Sequence, residues 1–389
     1  MKIVTIAGAR PNFVKIAPLF QEMRRHASIT PILIHTGQHY DAPMSDRFFS
    51  DLEIQPPHIN LGVGSGSHAI QTAEVMRRLE PILVSLSPEL VLVVGDVNST
   101  LASALTAVKL GIPVAHVEAG LRSFDRTMPE EINRLVTDAI SDVLFLSEES
   151  ALNNLLHEGI DKEKLHLVGN VMIDALQWFK PRWERSSIFW RLGLEAWCPY
   201  AVVTLHRPSN VDEPDTLLNI LKALQELSRN LPILFPVHPR VKPQLLRLGH
   251  VAWMEPGEGK RCFPQGVVCL DPLGYLDCIA LMSRARLVLT DSGGIQEETT
   301  VLGVPCLTLR ENTERPVTVT HGTNRVIGSD PGRIVREALR TLEHPPHPSG
   351  PPPLWDGRAA ERIVRILLEH RPTGPPQAMV TTNSFTQHS

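Results

Sequence analysis

The amino-acid sequence predicts an α/β protein built from two doubly wound, Rossmann-like domains. Its 389 residues exceed what a single hydrophobic core usually supports. Short runs that are apolar on both faces recur along the chain, and each is followed by a loop and a helical pattern. This alternation is typical of parallel strands that are covered by helices on both sides. The length therefore predicts two domains, and the alternation predicts a doubly wound sheet in each.

The predicted strands are apolar runs of strand length bounded by polar or glycine-containing loops. In the first half they are residues 3–7, 32–35, 91–94, 114–117, 143–146 and 165–168. In the second half they are residues 201–204, 233–237, 267–270, 287–289 and 306–309. The helices between them follow a period of 3.6 residues, most clearly in the first helix. There the apolar residues that share one face are Phe13, Ile16, Ala17, Phe20 and Met23.

The domain boundary is predicted between Val168 and Trp197, a segment in which the periodic pattern lapses around Lys180-Pro181-Arg182. We expect a first domain over residues 1–170 and a second over residues 171–353. A proline-rich stretch ends the second domain and precedes a helical pattern over residues 358–370. Residues 371–389 are polar and proline-rich, a composition typical of disorder.

Composition excludes several classes of function. The net charge of −4 argues against a general nucleic-acid or membrane surface, which needs clustered basic residues. The apolar start of the chain ends before Arg10, too early for a signal-peptide core, so we expect a cytoplasmic protein. The cysteines are odd in number and include no Cys-x-x-Cys pair, which favours buried, reduced thiols over disulfides or a zinc site.

A phosphate-binding loop is predicted in the second half, at Asp291-Ser292-Gly293-Gly294. The glycines let a backbone approach a ligand, and the N–H groups that open a helix hold phosphate oxygens. Glu298, one turn further on, is placed to bind ribose hydroxyls. In the first half, Arg10 and Lys15 flank another strand-to-helix turn, where a tight turn with solvated charges is the alternative. Neither a Walker lysine nor Gly-x-Gly-x-x-Gly is present, which argues against an ATPase and a dehydrogenase.

Three carboxylates follow apolar strands of the first half: Asp96, Glu118 and Glu130. Neighbouring carboxylates raise one another's pKa, so that one acts as an acid while another acts as a base. Helix capping is the alternative role for Asp96. A solvated charged face is the alternative for part of the cluster, especially for Glu131 and Arg134, which are spaced to pair on a helix.

Histidines also end strands of the second half, at His206 and His238. A single strand-end histidine is more often structural than catalytic, so the pattern alone leaves their role open.

Taken in order and spacing, these motifs resemble those of the non-hydrolysing UDP-N-acetylglucosamine 2-epimerases over nearly the whole chain. The similar stretches include Gly8-Ala9-Arg10-Pro11, Gly95-Asp96-Val97-Asn98-Ser99-Thr100, residues 116–133, Leu205-His206-Arg207, residues 291–298 and Glu314-Arg315-Pro316.

The resemblance implies a glycosyltransferase-B arrangement of the two domains, with a UDP-sugar in the cleft between them. It implies that the helix at 358–370 returns to complete the first domain and that the second domain binds UDP. It also implies a homodimer without cofactor or metal that serves polysaccharide biosynthesis. The implied reaction interconverts UDP-N-acetylglucosamine and UDP-N-acetylmannosamine by anti elimination of UDP, a 2-acetamidoglucal intermediate and re-addition.

Site residues follow from the resemblance position by position. The implied catalytic set is Asp96, Glu118, Glu130 and His206. The implied substrate-binding set is Arg10, Lys15, Ser292, Gly293, Gly294, Glu298 and Arg315. The implied allosteric positions, which hold a second UDP-sugar in some members, are Gln38, Arg207 and His238. Cys278 occupies the position where the family is expected to have an aromatic residue against the uracil. Binding of the base is therefore expected to rest on backbone contacts around residues 273–276.

Two other enzyme classes remain open. A 2-epimerase of a related sugar, such as UDP-2,3-diacetamido-glucuronate, would share the mechanism. A glycosyltransferase of the same fold would not require the carboxylates of the first domain, nor would a protein that only senses nucleotide sugars.

Overall fold

The computed structural model describes residues 1–37, 52–194, 198–248, 252–253, 266–346 and 350–369. Within these ranges the chain forms two sheets of seven parallel strands each. Helices cover the sheets, and buried Val, Leu and Ile side chains fill the space between. The predicted α/β class with two parallel sheets is confirmed.

The first sheet has the order β3-β2-β1-β4-β5-β6-β7. Its strands are β1 (Lys2–Ala7), β2 (Thr30–His35), β3 (Ile59–Asn60), β4 (Leu90–Val94), β5 (Val114–Ala119), β6 (Val143–Leu146) and β7 (Leu165–Leu167). The order reverses between β1 and β4. Open α/β sheets bind ligands at this point, outside the carboxyl ends of the strands.

The second sheet repeats that topology, with the order β10-β11-β9-β8-β12-β13-β14. Its strands are β8 (Ala201–Thr204), β9 (Ile233–Pro236), β10 (Ala252–Trp253), β11 (Val267–Leu270), β12 (Leu287–Thr290), β13 (Cys306–Thr308) and β14 (Asn324–Val326). Here the order reverses between β8 and β12. The strands β3, β10 and β14 are each two or three residues long and were not predicted; β3 and β14 do not lie in a longer apolar run of the sequence.

The helices of the first half alternate with the strands as predicted. They are α1 (Arg10–Arg24), α2 (His68–Leu86), α3 (Asn98–Lys109), α4 (Pro129–Ile140), α5 (Glu149–His157), α6 (Val171–Trp178), α7 (Lys180–Trp183) and α8 (Ile188–Arg191). Those that follow are α9 (Pro208–Val211), α10 (Pro214–Leu227), α11 (Lys242–Leu248), α12 (Tyr275–Ser283), α13 (Gly293–Leu302), α14 (Val317–Thr320), α15 (Pro331–Glu343) and α16 (Ala359–Glu369). No described helix has both the length and the apolar character needed to cross a membrane.

The last helix, α16, lies against α1 and α6 beside the first sheet. Asp174 on α6 accepts hydrogen bonds from the first backbone N–H groups of α16, at 3.1 Å from Ala359 and 2.6 Å from Ala360. The indole of Trp355 donates to the carbonyl of Ser147 at 2.9 Å, just before α16 begins. These bonds connect the end of the described chain to the first sheet. The domain boundaries themselves stay a prediction, and residues 371–389 lie outside the described ranges.

The prediction for the cysteines was wrong at one position. Cys269, Cys278 and Cys306 are free thiols, whereas Cys198 is disulfide-bonded. Sequence spacing did not reveal this, because a disulfide depends on which side chains the fold brings together.

Gly169, just after β7, is required where the returning chain crosses it. Its φ is +90°, and a β-carbon there would lie 2.1 Å from the carbonyl oxygen of Leu354. Gly159 has a similar φ of +80° but open space around it. Comparing substitutions at the two glycines therefore separates the cost of a left-handed backbone from the cost of steric overlap.

We predict that Gly169→Ala destabilises the protein more than Gly159→Ala, as measured by urea unfolding. Both variants carry the cost of a left-handed alanine, about 1–2 kcal/mol. Only Gly169→Ala must also displace the Leu354 backbone, which adds the cost of an overpacked site, about 1–3 kcal/mol. Equal losses of unfolding free energy in the two variants would show that the Leu354 backbone does not contact the turn at Gly169.

Candidate active site

The carboxyl ends of both sheets contribute residues to one cavity of about 1120 Å³. Small-ligand pockets usually span about 300–1,000 Å³, so this cleft is large enough for a nucleotide with an attached sugar. The first half of the chain contributes Lys15, Asp96 and Glu130 to its wall, among others. The second half contributes His206, Ser292, Gly293, Gly294, Glu298 and Arg315. Most of the predicted site residues thus lie around one space, whereas Glu118 is buried behind Lys15 and Arg315 and does not itself line the cavity.

Glu118 occupies an unusual position at the end of β5. Its φ is +69°, a left-handed conformation that costs a residue with a side chain about 1–3 kcal/mol. The register between β5 and β6 shifts between Val117 and Ala119, so Glu118 is the extra residue of a bulge. Bulges of this kind redirect a side chain out of the regular alternation.

The carboxylate of Glu118 is buried between two cations from opposite halves of the chain. Lys15 Nζ, on α1, donates to Glu118 Oε2. Arg315 Nη2, in the loop after β13, lies 3.4 Å from Glu118 Oε1. Gly95 leaves room for this group, since a β-carbon there would lie 3.3 Å from Glu118 Oε2 and 3.4 Å from Lys15 Nζ.

Asp96 lies at the neighbouring strand end, half-buried, and is held by residues of α4. Arg134 Nη1 donates to its carboxylate, and Asn133 Nδ2 donates to its backbone carbonyl at 2.8 Å. Burial alone would raise the pKa of Asp96, but the charges of Arg134, Lys15 and Arg315 outweigh burial and lower it. Its side chain is therefore an ionised carboxylate at neutral pH.

The alternative of a solvated charged face was wrong for Glu131 and Arg134. They do pair along the helix as their spacing indicates, but both are buried, each about 1% exposed. The Glu131 carboxylate also accepts the backbone N–H groups of Ser123 at 3.0 Å and Phe124 at 2.9 Å. The pair therefore supports Asp96 and the turn after β5 from below.

Glu130, next along α4, is more than a third exposed and lines the cleft. Across the cleft, Arg207 Nη1 lies 3.9 Å from its carboxylate. Arg207 also donates to Glu314 at 3.2 Å, and Arg310 donates to the other oxygen of Glu314 at 2.8 Å. Burial would raise the pKa of Glu314, but Arg315, Arg310 and Arg207 hold it far below its usual range.

His206 and Asp291 form a pair at the β8–β12 reversal. His206 Nδ1 lies 2.8 Å from Asp291 Oδ1. Asp291 is fully buried and also accepts the backbone N–H groups of His206 and Arg207 and the amide of Asn210, at 3.0–3.1 Å. Burial by itself would raise the pKa of Asp291, but the hydrogen bonds and the contact with His206 outweigh burial, and the pKa is lowered. Asp291 therefore anchors the loop after β8 and orients the His206 ring.

The start of α13 lines the cleft with Ser292, Gly293 and Gly294. A β-carbon on Gly293 would lie 2.6 Å from the Arg315 guanidinium. The absence of a side chain at Gly293 therefore makes room for Arg315. From the sequence we had expected it to let the protein backbone approach a ligand. A helix N-terminus beside an arginine is a favourable place for a phosphate.

The end of the cleft where the uracil was expected contains an aromatic residue that was not predicted. Tyr275 lines the cavity together with Leu273, Gly274 and Cys278. Glu298 lies nearby, and burial, followed by the charge of Glu297, raises its pKa to about 8. Nothing in the local sequence sets Tyr275 apart, because a tyrosine opening an apolar helix is read as core.

The remaining predicted residues are placed as follows. Gln38 and the side chain of Arg10 lie outside the described part of the chain. The His238 ring centroid lies 6.0 Å from that of His206. Arg207 lines the main cleft, and its guanidinium contacts both Glu130 and Glu314.

Two buried carboxyl groups behind Arg315 were also missed. Glu297, on α13, accepts from Arg315 Nε at 2.6 Å. Glu148, after β6 in the first half, is 4% exposed, and burial together with the charge of Glu297 raises its pKa to about 7. Among the described residues, one oxygen of each lacks a hydrogen-bond partner. Carboxyl groups from both halves therefore meet behind the cleft.

A sequence profile of the protein family described as UDP-N-acetylglucosamine 2-epimerase matches residues 21–368. The UDP-N-acetylglucosamine 2-epimerase homolog of Methanococcus maripaludis is 44% identical over 374 residues, covering 94% of this chain and 99% of its own. The UDP-2,3-diacetamido-2,3-dideoxy-D-glucuronate 2-epimerase of Pseudomonas aeruginosa is 40% identical over 373 residues, covering 95% of this chain and all of its own.

The crystal structure of the Methanocaldococcus jannaschii UDP-GlcNAc 2-epimerase, in complex with UDP-GlcNAc and UDP, is similar to this fold. Its TM-score is 0.85 at 39% identity, with 95% of this chain and 100% of that chain covered. The likeness confirms the predicted glycosyltransferase-B arrangement of two parallel-sheet domains.

We predict that Glu148 makes folding stability fall as pH rises from about 4.5 to about 7. The folded chain keeps its proton up to about pH 7, whereas the unfolded chain releases it near the ordinary value of 4.5. Between these values the free energy of unfolding falls by about 1.4 kcal/mol for each unit of rising pH, because the unfolded chain has lost a proton that the folded chain keeps. Urea unfolding across this range should show the wild type losing stability relative to Glu148→Gln.

The exposed neighbour provides the control: Glu149→Gln should follow the wild-type curve. Parallel curves for Glu148→Gln and the wild type would contradict a proton held at Glu148.

Proposed function

This chain belongs to the UDP-N-acetylglucosamine 2-epimerase family, and from that membership and the geometry of the cleft we propose that it interconverts UDP-N-acetylglucosamine and UDP-N-acetylmannosamine. The observation that carries the proposal is the buried Glu118 carboxylate, held between Lys15 and Arg315 across the cleft. A protein that only binds or senses a nucleotide sugar has no need of an acid–base group placed between two phosphate-binding cations.

The chemistry of the sugar explains why such a cleft is needed. The proton on C2 is not next to a carbonyl group and is barely acidic. When the C1–O bond breaks, UDP leaves with the bonding electrons and C1 gains oxocarbenium character. A base can then remove the C2 proton, which gives 2-acetamidoglucal and UDP. Re-addition of UDP at C1, with a proton delivered to the other face of C2, gives the epimer.

We propose that Lys15, Arg315, Ser292 and the N-terminus of α13 hold the leaving diphosphate. Preorganised donors and cations placed where charge develops usually make the largest contribution to such a step. Lys15 and Arg315 both contact the Glu118 carboxylate and balance its negative charge. A diphosphate competes for the same two cations, so binding of substrate leaves Glu118 as a less tightly held carboxylate beside the sugar.

The proton-transfer groups are then Asp96, Glu118 and Glu130, with His206 oriented by Asp291 on the facing wall. The carboxylates come from the ends of the neighbouring strands β4 and β5 and from the start of α4, and we propose that they reach different faces of the sugar. This spread suits a reaction that removes a proton from one face of C2 and delivers one to the other. Glu298 and Tyr275 are proposed for the nucleoside.

The family resemblance also supports a cytoplasmic homodimer that supplies a sugar for polysaccharide biosynthesis. Light scattering on the purified protein tests the dimer, and a single-chain mass would exclude it.

A second candidate substrate is UDP-2,3-diacetamido-glucuronate, because the Pseudomonas aeruginosa relative with that name aligns over its full length. Parallel assays with the two UDP-sugars decide between them through the ratio of kcat/KM.

Incubation with UDP-N-acetylglucosamine in deuterated water tests the proposal directly. We expect NMR to show UDP-N-acetylmannosamine with deuterium at C2, in equilibrium with deuterated starting material. Retention of all C2 protium would exclude the reaction for this sugar, and release of free N-acetylmannosamine with UDP would indicate hydrolysis instead.

Glu118→Gln should abolish C2 exchange, a loss of at least about 100-fold, consistent with removal of an acid–base group. UDP binding, measured by calorimetry, should be retained or strengthened, because Lys15 and Arg315 lose a competing carboxylate. Glu149→Gln is the matched control and should exchange at the wild-type rate. Loss of UDP binding in Glu118→Gln would reassign Glu118 to a structural role.

A further inference from the structure

His116 lies below the two strand ends that carry Asp96 and Glu118, and it lies outside the cleft. It is the third residue of β5 and is fully buried. Its Nε2 lies 2.8 Å from the carbonyl oxygen of Gly95, the residue before Asp96. Its Nδ1 lies 2.7 Å from Asp138 Oδ1, on α4. A single side chain therefore connects the end of β4 to α4.

Both ring nitrogens of His116 face acceptors. A carbonyl oxygen has no proton to donate, so Nε2 must carry one. The other oxygen of Asp138 accepts the Gly120 N–H at 3.0 Å and an Arg122 N–H at 2.7 Å. Two N–H donors on this oxygen, one of them a charged guanidinium, favour the ionised form of Asp138, and in that form Nδ1 is the donor in its bond to the other oxygen.

The charges around Asp138 agree with this reading. Burial would raise the pKa of Asp138, but His116 and Arg122 outweigh burial and lower it. Arg122 is itself paired with Glu158, with two bonds of 2.7 Å. His116, Asp138 and Arg122 are thus buried side by side, and Arg122 is paired in turn with Glu158 at the surface.

We infer that His116 is a positioning residue: a buried ring, protonated at both nitrogens, that through Gly95 and Asp138 fixes the distance between the Asp96 and Glu118 loops. Gly95 precedes Asp96, and Gly120, which Asp138 holds through its N–H, follows Glu118 by two residues. The His116–Asp138 pair therefore holds the backbone just before Asp96, at Gly95, and just after Glu118, at Gly120. Glu118 has a strained backbone, and strain of this kind persists only where the surroundings hold it in place.

The charge state is tested on the wild-type protein by NMR with ¹⁵N-labelled histidine at neutral pH, with His116→Gln identifying the signal. We expect both ring nitrogens of His116 to be protonated. A neutral ring, with one nitrogen free of its proton, would overturn the inference. Asp138→Asn, which keeps the side-chain size and removes the charge, should convert the signal to the neutral pattern.

The positioning role rests on the proposed epimerase activity and is tested by kinetics. A misplacement of about 1 Å can cost on the order of 100-fold in rate. His116→Gln and Asp138→Asn should therefore lower kcat by about 10- to 100-fold, while KM and the affinity for UDP change less than about twofold. Loss of UDP affinity in parallel with kcat would indicate a merely structural role. An inactive wild type would contradict the proposed function and leave the NMR result on the charge state standing.

Discussion

The carboxylate of Glu118 takes one cation from each half of the molecule, and the rest of the cleft is arranged around that contact. Lys15 comes from α1 beside the first sheet, and Arg315 comes from the loop after β13 of the second. Gly95 provides the space, and the bulge in β5 turns the side chain toward it. All of these groups are buried, where water screens charges weakly, so each must be matched by a partner.

The two sheets use the same architectural position for different tasks. At the β1–β4 reversal the first sheet presents carboxylates, which suits proton transfer. At the β8–β12 reversal the second sheet presents a helix N-terminus, arginines and the His206–Asp291 pair, which suits an anionic leaving group. Placing the tasks on separate sheets allows one cleft to hold both the sugar and the diphosphate while they are disconnected, and to exclude water from the glucal.

Most of the fold could be predicted from the sequence, because strands buried on both faces appear as continuous apolar runs. The motif positions also indicated which residues gather at the cleft. The bulge at Glu118 could not be predicted, since the apolar run ends just before it and a bulge leaves no compositional mark. Glu131 and Arg134 appeared solvated because their spacing is that of a surface pair. The tertiary fold brings Asp96 to Arg134 and the backbone of Ser123 and Phe124 to Glu131, and the local sequence does not show these contacts.

The central claim is that the cleft cleaves the C1–O bond, retains UDP and joins it again. Positional isotope exchange tests this most directly, with UDP-N-acetylglucosamine carrying ¹⁸O between the sugar and the β-phosphate. If UDP is released within the site and turns before it adds back, the label moves to non-bridging positions of the β-phosphate in recovered substrate. Epimerised product in which all of the ¹⁸O stays in the bridge, with neither free UDP nor 2-acetamidoglucal detected in the same reaction, would contradict the account.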